Sequence, residues 1–351
     1  MISEILIVSA VILSYFGIGF VFRKNKMSPF LGLEFFLIGL LFSLLKVNKN
    51  NFIPLLPPFL SAFGLLMGMQ VKFADLKALG KDFYKNVLVY SLSVFVAFFI
   101  VFSFFFPYQD ASVLGAVFAL VSYKVMATFI PDRKKEDREK LFFSAFVPFV
   151  CIVIYFFSAF LSFNPNIFKW FFVLFIAFSF LAKIIFSVFD DDMSLVLSVI
   201  GIVLFFSELA YIKGVSPFAV MFFVGVFLSN WCKKGDKLFE ILLADEKQLY
   251  TIFLIFLGFV SGYDFNLSFL KITFVVFASV FLAKYVFFKI KKDIFFLYLS
   301  PGAFGVVLLA DYWLITGHEE GSLLFSSAIT VIIVLQVMSM IFLKRIYGKK
   351  D

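Results

Sequence analysis

Apolar runs of about twenty residues, separated by short basic loops, recur along this whole chain and leave few folds open to it. They fall at about 3–22, 29–46, 52–71, 86–106, 110–130, 141–162, 166–188, 194–209, 215–231, 248–263, 269–288, 293–313 and 321–344. About 20 apolar residues of helix cross the hydrocarbon core of a bilayer. No water is present there to satisfy free backbone groups, so such runs are helical. Thirteen helices of that length use about 260 residues, so no further soluble domain of ordinary size fits. The composition agrees: 63% of the 351 residues are hydrophobic and 15% charged, against about 45–50% and 25% in soluble domains. The expectation is an all-α polytopic protein of the cell's inner (plasma) membrane. It forms a single transmembrane domain over 1–351, with no soluble regulatory domain. The first run lacks a basic leader and a small-residue cleavage site, so it reads as a retained helix. The 59 phenylalanines read as generic lipid-facing bulk.

The net charge of +8 is explained by topology rather than by nucleic acid. With the N-terminus outside, inside loops carry Arg23 to Lys26, Lys72 to Lys85, Arg133 to Lys140, Lys233 to Lys247 and Lys289 to Lys292, and the tail adds Lys344, Arg345, Lys349 and Lys350. Together these are 23 of the 31 basic residues, against 5 in outside loops: Lys46, Lys49, Lys169, Lys213 and Lys271. That bias predicts N-out and C-in. Cys151 and Cys232 are too few and too far apart for a disulfide framework or a metal site. The single histidine, His318, stands in a Gly317-His318-Glu319-Glu320 loop. No cofactor and no metal centre is expected.

Two runs make poor continuous helices. One carries Val121-Ser122-Tyr123-Lys124 in its middle, the other Ser300-Pro301-Gly302. Proline removes a backbone hydrogen bond, and a break inside hydrocarbon persists only where protein or a water-filled cavity covers the freed groups. Interrupted helices at corresponding places in two halves of a chain mark a transporter site near the bilayer midplane. A charge at mid-bilayer is costly, so Lys124 in the first break and Lys284 in the run 269–288 read as site residues. Lys183 reads as an interfacial anchor. Glu34, Glu208 and Asp311 lie close enough to span ends to read as interfacial carboxylates.

Several pieces, in order, resemble the membrane domain of the bacterial monovalent cation:proton antiporter superfamily, the branch of Na+/H+ and K+/H+ exchangers. Met27-Ser28-Pro29-Phe30-Leu31-Gly32 is similar to the start of the family's second helix, and Phe63 to Phe73 to the end of its third. Phe206-Ser207-Glu208-Leu209 with Gly214 to Ala219 and Gly225, and Phe253 to Leu267 with Gly262 and Asp264, are similar to two later stretches. Lys284 matches the basic residue of the late core helix, and Gly302-Ala303-Phe304-Gly305 the second broken helix. The resemblance implies two inverted repeats with two crossing discontinuous helices, core helices about 86–162 and 248–344, dimerisation-type helices from the rest, a homodimer, and alternating access.

The departures fall at the ion site. The family's ion-binding Asp aligns with Phe149, its helix 3 Glu with Gln70, and the Glu of its second broken helix with Ala303. The site residues implied are Ser122, Tyr123, Lys124, Phe149, Lys284, Pro301, Gly302 and Ala303, with Gln70 and Glu208 secondary. Three readings stay open: a divergent antiporter whose partners are a monovalent cation and the proton; a carrier of another, anionic solute using Lys124 and Lys284; and a non-transporting relic of the fold. An enzyme is not expected, since no metal cluster, Ser-His pair or paired carboxylate is placed in a span.

Overall fold

A computed structural model describes residues 33–43, 49–74, 81–122, 135–161, 165–189, 191–261, 267–288, 292–316 and 322–347. The expected run at 3–22, Tyr123, Lys124 and His318 lie outside these. The described residues are helical, without strands. Six helices are long and apolar enough to cross a membrane: Phe52–Met69, Phe83–Ser103, Ile167–Val188, Asp192–Ile212, Leu267–Val286 and Leu323–Arg345. Four more apolar helices, Phe146–Ser158, Pro217–Trp231, Gln248–Ser261 and Gly302–Thr316, are shorter. The architecture is thus all-α and membrane-type, but several of the expected runs are not full-length helices.

The chain divides into two compact units, 1–76 with 166–263 and 77–165 with 264–351. Each half of the chain therefore contributes one stretch to each unit, in the same order. The expected core group differs from the second unit at one helix: residues 248–261 cluster with the first unit.

The first unit holds α1 (Leu33–Ser43), a 3-10 turn (Lys49–Leu55) and α2 (Leu56–Met69). The second unit follows with α3 (Lys81–Ser103), α4 (Tyr108–Ala119) and α5 (Lys135–Leu161). The first resumes with α6 (Pro165–Val188), α7 (Asp192–Ile212), α8 (Pro217–Trp231) and α9 (Gly235–Ser261). The second closes with α10 (Leu267–Phe288), α11 (Lys292–Leu299), α12 (Gly302–Thr316) and α13 (Ser322–Tyr347). The basic stretches expected as loops at 133–140 and 233–247 are largely helix. α5 and α9 each run 27 residues, about 40 Å at 1.5 Å per residue, so their charged first turns extend beyond an apolar slab of about 30 Å.

In the first unit, glycines let helix backbones touch. A Cβ on Gly64 would stand 2.2 Å from the Phe218 carbonyl oxygen, and one on Gly68 1.9 Å from that of Phe222. Gly225 of α8 faces the Leu65 carbonyl in return. Gly39 of α1 and Gly258 of α9 meet the backbones of Ile255 and Phe36 in the same way. Lipid tails are as apolar as leucine, so helices associate in a membrane by close packing, and small residues four apart allow it. One end of this unit is also tied by polar contacts. Asn230 donates from its amide to the Val71 carbonyl at 2.7 Å and accepts from the Phe73 N–H at 2.8 Å. Lys72 pairs with Asp236, Lys237 with Asp192, and Lys234 donates to the Phe189 carbonyl. The stretches 71–73, 189–192 and 230–237 therefore meet at one end of this unit. Lys213 lies 4.7 Å from the Trp170 ring, and Lys183, on an exposed face of α6, reaches over Phe227.

In the second unit, α3 separates its two faces. Val87, Ser91, Val94, Phe98 and Phe102 are buried, while Leu88, Leu92, Val96 and Ile100 are exposed. That is the 3.6-residue period of a helix with one protein-facing stripe, its other face clad in apolar side chains as hydrocarbon requires.

Candidate functional site

The site of interest lies wholly within the second unit, where the ends of α4 and α11 meet at the start of α12. α4 stops because Leu120 turns to extended backbone, φ −58° and ψ 152°. α11 stops because Pro301 has no N–H to offer and pushes Ser300 away from helical geometry. α12 then restarts at Gly302, whose φ of +71° is left-handed, a region that side chains other than glycine's rarely occupy. The two breaks touch: the Ser122 N–H donates to the Ser300 carbonyl at 3.0 Å. A Cβ on Gly302 would lie 2.6 Å from Ser122 Oγ. The Ser300 hydroxyl accepts from the Gly302 N–H at 3.1 Å.

Lys284 of α10 points into this crossing and is fully buried. Its ammonium donates to the carbonyl oxygens of Leu120 at 3.3 Å, Tyr298 at 2.7 Å and Leu299 at 3.1 Å. An ammonium has three N–H donors, and three acceptors meet it. The last carbonyls of a helix lack partners within the helix, and its C-terminus behaves as roughly half a negative charge. Two such ends amount to about one charge, which balances the lysine without a carboxylate. This is how a lysine is kept at full burial inside an apolar bundle.

The surroundings are aromatic and weakly polar. The rings of Tyr90, Phe143 and Tyr298 pack on one another at centroid distances of 5.1 to 5.9 Å. On α5 the buried stripe runs Val147, Cys151, Tyr155. Cys151 lies within interaction range of Ser91 and Lys284. Phe149 is half-exposed and packs on Phe146. The motif alignment placed the α5 site position at Phe149; on the helix it falls off the buried face, and Cys151 is the α5 residue that the stripe turns toward Lys284. Two residues of helix amount to about 200° of rotation, enough to change the face.

Of the expected site residues, the structure brings together Ser122, Lys284, Pro301 and Gly302, with Ala303 half-buried beside them. Tyr123 and Lys124 lie outside the described residues. Gln70 is the exposed C-cap of α2, and Glu208 is half-buried near the end of α7; both belong to the first unit. The side chain of Glu34 lies outside the described residues.

Asp311 corrects the sequence reading. Expected as an interfacial carboxylate, it is fully buried and accepts from the Tyr155 hydroxyl at 2.8 Å. Distance from the helix end suggested exposure, but α4, α5 and α13 surround α12 there. The next residue, Tyr312, donates to Asp110 at 2.8 Å. The one signal in the sequence was the charge itself, since an acid on an apolar helix costs several kcal/mol on insertion scales unless it is partnered. Among the described residues no cluster of His, Cys, Asp and Glu has the makings of a metal site. No protein-family model and no curated protein matches the chain.

Proposed function

We propose that the chain is an integral membrane transporter that exchanges a monovalent cation for a proton, working by alternating access as the antiporter superfamily does. The observation that carries this reading is the meeting of two helix ends, those of α4 and α11, with three backbone carbonyls gathered on the ammonium of Lys284. Unwound carbonyls and half-helix C-termini are the groups that hold Na+ or protons in secondary transporters. Irregular backbone at membrane depth survives only where protein or a cavity covers it.

The chemistry follows from what the carbonyls can accept. A lysine ammonium and a monovalent cation carry the same charge and draw on the same oxygens. When Lys284 gives up a proton, the neutral amine leaves the two helix ends with an uncompensated partial charge of about one unit. A monovalent cation restores the balance. When the proton returns, the ammonium retakes the carbonyls and the cation leaves. The exchange is one for one and electroneutral, and it needs no acid at position 149. The same accounting disfavours the anion carrier: all three N–H donors of Lys284 are spent on carbonyls, so none remains for a negatively charged solute. The charge bias of the loops supports an N-out, C-in orientation in the inner membrane, and the family resemblance supports inverted repeats and a homodimer.

Purified chain in proteoliposomes, with a pH-sensitive dye inside, tests the reading. Under an imposed Na+ or K+ gradient, the lumen is expected to change pH for wild type. Lys284→Arg is expected to abolish the change, because a guanidinium does not give up its proton. No pH change with either ion, from protein that is folded and correctly inserted, overturns the transporter reading in favour of a non-transporting use of the fold.

A further inference from the structure

The second unit holds a second ionisable group that the exchange at Lys284 does not use. Asp311 is fully buried and bonded to Tyr155 of α5. The neighbouring Tyr312 forms part of the wall of a cavity of about 360 Å³, together with Gln109, Asp110, Trp313, Thr316 and Phe325. Tyr312 is held in that wall by its bond to Asp110, and Tyr155 lies within electrostatic reach of Tyr312. Two hydrogen-bonded pairs, Asp110 with Tyr312 on the cavity wall and Tyr155 with Asp311 in the interior, thus stand between the cavity and a buried carboxylate. The cavity lies between the first turn of α4 and the last turns of α12, the ends that the charge bias assigns to the outer face. A buried intramembrane carboxylate is costly, and it is kept where it serves an ion or proton pathway.

We propose that Asp311 is a proton-binding carboxylate and that this cavity is its access route from the outer face, with Tyr312 as the wall between them. A proton from cavity water passes Asp110 and Tyr312 and settles on Asp311, converting the carboxylate to the neutral acid. The Tyr155 hydroxyl steadies the ionised form. Among the described residues, these titratable groups face the acid or its cavity. α12 itself adds Tyr312, α4 presents Asp110, and α5 presents Tyr155. α13 has no titratable residue before Lys344, near its far end. The placement of the route on the outer side, and its use as a supply of protons for exchange, rest on the transporter reading. Proton binding by Asp311 does not.

Infrared difference spectroscopy of the full chain in liposomes, stepped between neutral and acidic medium, reads the protonation directly. A carboxylic C=O band is expected to appear on acidification, to vanish in Asp311→Asn and to shift in Tyr155→Phe, which removes one hydrogen bond while leaving the acid. Both variants keep nearly the native side-chain volume, and monodisperse elution checks that they fold. A band that persists unchanged in a folded Asp311→Asn, or no band in wild type, overturns the proposal. In the dye assay, wild-type exchange that survives Asp311→Asn unaltered overturns the supply role. No exchange in wild type, together with an Asp311-dependent band, overturns the transporter reading and leaves the proton site standing.

Discussion

The two units bury different kinds of atoms. In the first, every buried polar residue among those described is a hydroxyl: Ser61, Ser179, Ser207, Ser216, Thr251 and Ser261. Its helices are brought together by glycines that admit a neighbour's backbone. In the second unit the buried set includes two full charges, Lys284 and Asp311, each held by specific oxygens or a hydroxyl. Close glycine packing ties helices at fixed contacts and offers nothing to an ion. Buried charge does the opposite, since it costs stability and is kept where it acts. On the transporter reading, the first unit is the scaffold and the second carries the chemistry.

Substitutions can break that contrast. The largest effect is expected from Lys284→Met. It removes a buried ammonium from three carbonyls and leaves two helix ends uncompensated, at a cost of about 3–5 kcal/mol by analogy with a broken buried ion pair. Thermal unfolding in detergent should show it, and Lys284→Arg, which keeps the charge, should lose much less. Gly68→Ala comes next. The added methyl would sit 1.9 Å from a backbone oxygen, so α2 and α8 must part, at about 1–3 kcal/mol for an overpacked contact. The same unfolding measurement should show this loss, while the Asp311 infrared band stays where it was. If Gly68→Ala moved that band, the division of labour would fail.

Gly302→Ala sharpens the contrast from the other side. The left-handed φ of +71° alone costs a side chain about 1–2 kcal/mol, and the methyl also meets Ser122 Oγ. Exchange activity is expected to fall further than stability, because the crossing is displaced. The smallest effect lies at the surface of the first unit. The Ser194 N–H donates to the Asp191 carboxylate at 2.8 Å, and this bond holds the Asp191 carboxyl below its ordinary range. A lowered folded value means that the contribution is present above the unfolded carboxylate pKa and is lost as pH falls through the folded one. Fraying of the start of α7 in acid, followed by hydrogen exchange, should be absent in Asp191→Asn.

Both helix breaks could be read from the sequence, because Pro301, Gly302 and a lysine in an apolar run each violate a local rule of membrane helices. Lys284 was legible for the same reason. What held it was not, since its three acceptors are backbone atoms 14 or more residues away and no side-chain motif encodes them. Aligning a motif on α5 fixes a residue's place along the helix but not its face. There the buried stripe through Val147 and Tyr155 selects Cys151. Asp311 was misread because linear distance to a helix end stood in for burial, which depends on the neighbours that pack around α12. The helical extensions of α5 and α9 beyond the apolar slab were missed because charge density reads as loop in a membrane sequence, although Glu, Lys and Arg are good helix formers.

On the transporter reading, a cation and the proton of Lys284 compete for the same three carbonyls. Adding Na+ or K+ to lightly buffered, purified protein and recording the pH tests it directly. Release of about one proton per chain is expected from wild type, on the one-lysine stoichiometry, and none from Lys284→Arg. Proton release of equal size from Lys284→Arg would contradict it.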